Sequence, residues 1–180
     1  MEHRAWPHEV IHRLGLAAVV LCCWIGYAAA AAAPVKIAVF PFELEDFSPA
    51  VKQGGTSQPV PSTEEALAQS TEEAKQQLLQ SGRYSIIDTA GADLGAAKGQ
   101  GLRNCGGCEA DIAMKLGADQ ALIGVVTKIS MMEYTVRIQV SDARNGEIVS
   151  RFATDFRMGA DYSWSRGVRS LMKNRMLAPK

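Results

Sequence analysis

Apolar and polar residues alternate regularly in the segment EYTVRIQVSD, residues 133–142. The apolar residues on one face are Tyr134, Val136, Ile138 and Val140. Alternation with a period of two is typical of an antiparallel strand that packs one face and leaves the other in water. The Asn145-Gly146 pair that follows is a strong hairpin signal. It leads into a further predicted strand at 147–158, whose inward side chains are expected to be Ile148, Phe152 and Phe156.

Shorter apolar runs predict three strands earlier in the chain, at 35–42, 83–88 and 118–130. The first run, VKIAVFPF, is apolar almost throughout, which is typical of a strand that is buried on both faces. Helical segments separate these three strands, and helical crossovers join parallel neighbours. We therefore predict that the three strands run parallel and that the later strands add an antiparallel meander.

Helix boundaries follow from capping residues and from the spacing of apolar positions. The first helix begins after Ser62, which is its predicted N-cap, and ends before Gly82. A second helix is expected at about 105–116 and a third at about 161–177. The apolar stripe of the third helix comprises Trp164, Val168, Leu171 and Met172.

The predicted order β-α-β-α-β-β-β-α indicates an α/β fold, namely a two-layer sandwich with a mixed five-stranded sheet. The helices are expected mainly on one face, because the alternating strand needs one face in water. Residues 43–61 are rich in Gly, Pro, Ser and Gln and predict a long flexible loop.

The first 33 residues have the order of features found in a cleavable signal peptide. A short segment with Arg4 and Arg13 precedes a long apolar run that ends in alanines. We therefore predict export to the periplasm, with residues 34–180 forming a single periplasmic domain. The alternative is a retained membrane anchor, since the apolar run approaches the roughly 20 residues that a spanning helix needs.

Removal of residues 1–33 would leave a chain without histidine, because His3, His8 and His12 all lie in that segment. Two of the 19 basic and two of the 19 acidic residues also lie there, which leaves 17 of each sign. A neutral domain has no electrostatic basis for binding nucleic acid. Without imidazole there is no Ser-His or Cys-His pair, so we predict neither an enzyme nor a bound cofactor.

Cys105 and Cys108 form a C-G-G-C motif at the start of the second predicted helix. The preferred interpretation is a local disulfide that fixes the entry of this helix in an oxidising compartment. The alternative is a thioredoxin-like redox pair, since a helix N-terminus favours a thiolate. Glu109 and Asp111 disfavour a thiolate, and no proline lies between Pro61 and Pro179 to supply the cis-proline of that fold.

Other candidate residues point to binding rather than to catalysis. Arg137 and Arg151 are expected on the open face of the sheet, and an aromatic and basic edge is expected at the start of the last helix. That edge would comprise Tyr162, Trp164, Arg166 and Arg169. A weaker alternative is an oxygen-ligand metal site at the acidic segment ELED, residues 43–46, with Asp88 or Asp93.

Several segments together resemble a small exported proteobacterial family of unknown function. They are KIAVFPFELEDFS, LLQSGRYSIID, CGGCEADIAMKLGADQALIGVVTKIS and DYSWSRGVRSLMKNRML, and they cover most of residues 34–180. The resemblance implies an uncharacterised periplasmic role. It also implies, as an alternative function, an accessory factor of a periplasmic quinoprotein dehydrogenase system.

A more distant similarity is carried by IAVFPF, SGRYSIID and AMKLGADQALIG. These pieces look like the periplasmic α/β domains of the Tol-system periplasmic protein, the curli secretion lipoprotein and the lipoprotein activators of penicillin-binding proteins. Those domains bind other proteins and catalyse nothing. The similarity therefore implies a non-catalytic domain whose partner is a periplasmic or envelope protein.

Overall fold

The computed structural model describes residues 33–47, 62–130, 132–157 and 163–179, which build an α/β fold around one mixed sheet. Its strands are β1 (Val35–Val39), β2 (Glu43–Asp46), β3 (Tyr84–Ile87), β4 (Gln120–Lys128), β5 (Glu133–Asp142) and β6 (Ile148–Arg157). Its helices are α1 (Thr63–Gln80), α2 (Cys108–Lys115) and α3 (Trp164–Leu171). Short 3-10 turns lie at Gly95–Ala97 and Leu102–Asn104, and a π-helical turn at Met172–Met176 follows α3.

The strand order β3-β1-β4-β5-β6 confirms the predicted mixed sheet. β1 runs parallel to both β3 and β4, whereas β4, β5 and β6 are antiparallel neighbours. The hairpin between β5 and β6 turns through Gly146, whose φ of 70° suits glycine. The register shifts between Val140 and Ser141, where β6 begins to pair.

One strand was not predicted. β2 pairs parallel with β4 from Glu43↔Val125 to Asp46↔Lys128, so the sheet has six strands rather than five. The prediction of a loop over 43–61 is therefore wrong for its first four residues. The acidic sequence ELED is too short and too polar to indicate a strand on its own, and its pairing depends on β4. Residues 48–61 lie outside the described part of the chain.

β1 and β2 are successive segments that pair with the same edge of β4. The chain leaves the sheet between them, at residues 40–42, and the ring of Phe42 lies directly over Gly124. A Cβ at position 124 would overlap that ring, so the glycine is what permits the close approach. The Phe42 backbone N–H donates to the hydroxyl of Thr71 at 3.0 Å, which ties the break to α1.

Helices α1 and α3 cover one face of the sheet, as predicted for most of the helical structure. Their core includes Ile37, Leu78, Leu122, Ile138 and Val168, all fully buried. Helix α2 lies on the opposite face, where it packs on the alternate residues of β1 and β4. Glu109 of α2 also reaches Gln139 and Ser141 on β5. Over the rest of β5 and over β6, that face carries no helix of the described residues.

The predicted helix ends are confirmed at both ends of α1. The Ser62 hydroxyl accepts from the backbone N–H of Glu65 at 3.1 Å, and Gly82 follows the last turn with a φ of 66°. Ser163 caps α3 in the same way, at 3.4 Å from the N–H of Arg166. The apolar stripe predicted for α3 is buried throughout. Ile148, predicted to point inward, is instead half exposed, because the register shift pairs it with Ser141 rather than with a residue of the α1 and α3 core.

Candidate functional site

The side of β5 and β6 that faces away from α1 and α3 forms a polar surface, called here the open face. Its members are Thr135, Arg137 and Gln139 on β5, and Val149, Arg151, Ala153, Asp155 and Arg157 on β6. The β5 residues are half-buried and those of β6 are exposed. The alternation of β5 that predicted one wet face thus places polar side chains there.

A cavity of about 320 Å³ opens on this face. Its lining residues are Arg103, Ile123, Val125, Arg137, Gln139 and Arg151. We call it the arginine pocket. Two rows of residues that lie side by side across the strands build most of it. One row is Ile123, Gln139 and Arg151, and the other is Val125, Arg137 and Ala153.

Arg151 is held in place by a neutral partner. Its Nε and Nη2 atoms donate to the Gln139 Oε1 atom at 3.1 and 2.6 Å. The Nε2 atom of Gln139 points the other way and donates to Glu109 at 3.4 Å. Glu109 is only 3% exposed and also accepts from the Ser141 hydroxyl at 3.1 Å. A buried carboxylate therefore sets the amide orientation that positions the Arg151 guanidinium.

Arg103 reaches the pocket from the turn before α2. Its Nη1 atom lies 2.7 Å from Glu43, and its Nε atom lies 3.9 Å from Glu45. Glu43 also accepts from the backbone N–H groups of Leu102 and Arg103, at 2.6 and 3.3 Å. The Nε atom of Arg103 is buried and has no hydrogen-bond acceptor among the described residues. The Glu43 carboxylate of β2 thus fixes the turn at Leu102–Asn104.

Arg137 differs from the other two arginines of the pocket. Within the described part of the chain, its guanidinium forms no ion pair and no hydrogen bond, although the side chain is half-buried. Asp155, the nearest acidic residue along β6 on this face, accepts instead from the hydroxyl of Thr135 at 2.7 Å. The pocket therefore contains a cation that no described carboxylate neutralises.

Cys105 and Cys108 lie close to the arginine pocket but not on one helix. Their Sγ atoms are 1.97 Å apart, as in a disulfide. Helix α2 begins only at Cys108, because Gly107 adopts a left-handed φ of 101° before it. The prediction that this helix begins at about residue 105 is therefore wrong by three residues. Both sulfurs nonetheless pack on the core beneath α2, and Cys105 Sγ lies 3.8 Å from the Glu109 carboxylate.

The residues predicted to form a partner-binding surface fall into two separate groups. Arg137 and Arg151 come together in the arginine pocket, whereas the α3 residues lie on the opposite side of the sheet. Trp164 is only 8% exposed and packs 5.7 Å from the ring of Tyr134, as expected of the predicted apolar stripe. The apolar stripe of α3 simply places it in the core.

The basic residues of α3 also serve the fold. Arg169 donates to both oxygens of Glu73, at 2.6 and 2.8 Å, and this hydrogen bonding holds the pKa of the Glu73 carboxyl below its usual range. Arg166 is exposed and has an interaction partner. Tyr162 lies outside the described residues. Of the described residues of the predicted edge, Trp164 is thus buried and Arg169 pairs with Glu73, while partner binding by this edge stays a prediction.

Arg103 was not singled out from the sequence, and Glu43 and Glu109 were assigned other roles than the ones they have in this site. Glu43 fell in a segment interpreted as a loop, and its contacts with Arg103 span 60 positions. Glu109 was interpreted only as a charge near the cysteines, yet its carboxylate accepts hydrogen bonds from Gln139 and Ser141 on β5. A pairing between α2 and β5 carries no local sequence signal, so only the fold brings these residues together.

The residues of the acidic segment ELED do not gather around a common centre. Glu43 and Glu45 face Arg103, while Asp46 lies 3.5 Å from the Lys128 Nζ atom. Asp93 accepts from the backbone N–H of Gly95 in its own turn. Across the described ranges, no group of three or more His, Cys, Asp or Glu side chains is arranged to hold a metal ion. None of the described helices has the length and apolar character needed to cross a bilayer.

Comparison with known proteins gives one family match and several structural resemblances. Residues 35–176 match a family model described as "Protein of unknown function (DUF2380)". No curated protein sequence matches the chain. The fold is similar to that of the LpoB C-terminal domain from Salmonella enterica, with 13% identity, a TM-score of 0.47, and coverage of 80% of this chain and 94% of that one.

Two further solved structures are similar at the same level. Lipoprotein GNA1162 from Neisseria meningitidis is 18% identical, with a TM-score of 0.47, over 72% of this chain and 85% of that one. PelC from Paraburkholderia phytofirmans, a dodecamer, is 16% identical, with a TM-score of 0.45, over 79% of this chain and 87% of that one. At these identities the resemblance concerns architecture and carries no function across.

Proposed function

Given that this chain belongs to the family of proteins of unknown function whose model residues 35–176 match, we propose that it is a non-catalytic periplasmic domain that binds an envelope protein partner. The observation that carries the proposal is the outer edge of β6, with which no described strand pairs, next to an open face whose Arg137 and Arg151 have no carboxylate partner among the described residues. The periplasmic location rests on the signal-like segment at residues 1–33. The partner we propose is an extended, acidic segment of another protein.

The edge of β6 is suited to pairing with another strand. β6 is ten residues long and lies at the end of the strand order, and no strand of the described residues pairs with its outer side. Such an edge presents alternate N–H and C=O groups to solvent, and partner segments add to it by β-augmentation. The strand contains no proline, so each residue retains its N–H group.

The charges of the open face favour an acidic partner. Arg137 and Arg151 lack carboxylate partners among the described residues, and the exposed side chains of Val149 and Ala153 leave room beside them. A strand added to β6 would direct every second side chain onto this face. Carboxylates at those positions would lie near the arginines and set the register of the added strand.

The chemistry of the face supports binding over catalysis. Its cationic groups are guanidinium groups, which stay protonated and do not act as general acids or bases. The disulfide is also poorly placed for redox exchange, because the Glu109 carboxylate lies 3.8 Å from Cys105 Sγ and would oppose a thiolate there.

Two substitutions of opposite charge at one exposed position of β6 test whether the partner is acidic. Val149 is 54% exposed on β6, and Leu79 is 56% exposed on α1 and serves as the control site. We expect Val149→Glu to reduce capture of an acidic segment at least about tenfold, whereas Val149→Lys retains it. Leu79→Glu should behave like the unmodified protein.

Capture is measured with a photo-crosslinking residue at position 153, followed by mass spectrometry that assigns the crosslinked peptide. The proposal requires that peptide to be acidic and to protect β6 amides from hydrogen exchange when it is added as a synthetic segment. Equal capture by both Val149 variants, or crosslinks to a basic segment, would contradict it.

Replacing both cysteines by serine separates binding from redox chemistry. We expect the double variant to keep partner binding and to lose no more than about 2 kcal/mol of stability, because the closed loop is only four residues long. The reduction potential of the pair should lie below about −300 mV, as for structural disulfides. A potential near that of thioredoxin, with reduction of insulin, would support the redox alternative instead.

A further inference from the structure

We propose that the arginine pocket is a binding site for a carboxylate, formed by Arg137 and Arg151 over an apolar floor. The cavity volume of about 320 Å³ lies at the lower end of the range for ligand sites, about 300–1,000 Å³. It suits a short organic acid or a single acidic side chain. This inference deepens the proposed function where the carboxylate belongs to the partner, and stands without it where the acid is free.

The register of β5 and β6 places Arg137 and Arg151 next to each other on the open face. Arg151 lies opposite Gln139, and Arg137 lies opposite Ala153, so the two arginines are diagonal neighbours on one face. Diagonal neighbours are about 7–8 Å apart, which long side chains bridge. The small side chain of Ala153 leaves the space beside Arg137 open. Both arginines can therefore turn toward one ligand.

The pocket carries uncompensated positive charge. Arg137 has no partner among the described residues, and the two bonds of Arg151 go to an uncharged amide oxygen. Two guanidinium groups at close range repel each other when partly removed from water. An anion between them removes that repulsion and accepts charge-assisted hydrogen bonds from both.

The pocket is arranged before any ligand enters. Glu109 is buried and fixes the Gln139 amide, which leaves the Oε1 atom facing Arg151. Because the guanidinium is already oriented, little side-chain freedom is lost on binding. Glu109 acts here as a positioning residue, since it contacts Gln139 and not the pocket.

The surroundings favour a carboxylate over a phosphate. Ile123 and Val125 form an apolar floor, which suits the hydrocarbon part of an organic acid. The forked guanidinium matches a planar carboxylate in a bidentate manner. Glu43 and Glu45 already pair with Arg103, so this third arginine of the lining adds no uncompensated charge of the kind that a compact phosphate needs.

Titration of the purified protein with defined probes tests the site. The probes are glutarate, inorganic phosphate and a strand-length peptide with one glutamate, followed by amide chemical shifts and calorimetry. We expect saturable binding of glutarate or of the peptide, with shifts centred on Ile123, Val125 and Gln139. Phosphate should bind more weakly at equal concentration.

Matched substitutions assign the binding to the pocket. Arg137→Gln and Arg151→Gln should each weaken binding by about tenfold or more, because each removes charge-assisted bonds. Arg157→Gln is the control, since Arg157 lies on the same face of β6 but pairs with Glu133 and does not line the cavity. Thermal unfolding of all three variants shows whether each remains folded.

The outcomes of the titration can be distinguished from those of the proposal that an acidic segment pairs with the edge of β6. Binding of glutarate without the peptide assigns a free acid, and binding of both assigns a partner side chain. Saturable glutarate binding by a protein that captures no strand segment would support the pocket alone, so failure of the edge does not imply failure of the pocket. No saturable shift with either carboxylate, tighter binding of phosphate, or equal weakening by Arg157→Gln would overturn the inference.

Discussion

Replacing Gly124 by valine is expected to lower the free energy of unfolding by about 3 kcal/mol. The Phe42 ring lies where the first side-chain atom of residue 124 would be, and that ring is only 3% exposed. It cannot move outward without leaving the core, and its backbone N–H is held by Thr71. Urea unfolding followed by far-ultraviolet circular dichroism measures the loss.

A double substitution identifies the ring as the cause. Gly124→Ala alone should cost about 1–3 kcal/mol, and less when Phe42→Leu is also present, because the smaller side chain frees the space. Gly91→Ala is the control, since a Cβ there meets no atom within 4 Å and the backbone is not left-handed. If Gly124→Ala proves as mild as Gly91→Ala, the packing described for the strand break is wrong.

Replacing Glu73 by alanine is expected to remove about 2 kcal/mol of stability near neutral pH. The Glu73 side chain is only 6% exposed and accepts from Arg169 on α3 and from Gln77 on its own helix. This pair joins α1 to α3 on the side of the sheet away from the open face. Its loss should loosen the docking of α3 without changing partner binding.

The loss of stability in the Glu73→Ala variant should become smaller as the pH falls. Hydrogen bonding to Arg169 lowers the pKa of Glu73 in the folded protein below the ordinary value of 4.5. A lowered pKa contributes stability that is present above the unfolded value and is lost as the pH falls through the folded value. The difference between the Glu73→Ala variant and the parent should therefore shrink below about pH 4.5.

The neighbouring Glu72 provides the control for this prediction. Its side chain is 62% exposed and pairs with Lys75 on the helix surface. Glu72→Ala should change stability by less than about 0.5 kcal/mol at any pH. Equal losses in the two variants would show that helix propensity, rather than the contact with Arg169, accounts for the effect.

Local sequence signals predicted most of the fold. The alternation of β5, the Asn145-Gly146 hairpin and the Ser62 cap each depend on residues close in the chain, and each is found where predicted. The family resemblance and the α/β class are likewise confirmed. Arg137 and Arg151 were placed on the open face because successive side chains of a strand alternate between its two faces, so the pattern assigns each residue to one face.

Long-range contacts were not predictable in the same way. β2 exists because β4 offers an edge beyond β1, and the pairing joins Glu43 to Val125. Glu109 became a positioning residue only when α2 packed against β5. Trp164 was assigned both to a core stripe and to a binding edge, because an aromatic residue at a helix start fits either, and its packing on Tyr134 decides for the core.

The pairing of β1 and β2 with β4 also sets the order in which the polypeptide can mature. Neither segment has its full set of neighbours until residue 128 has been synthesised, about 80 residues after β2. At about 5–20 residues per second, the apolar stretch VKIAVFPF waits several seconds or more for its place between β3 and β4. The apolar side chains of the first strand therefore stay without their partners during that interval, whereas the β4–β6 meander assembles from contacts that are close in the sequence.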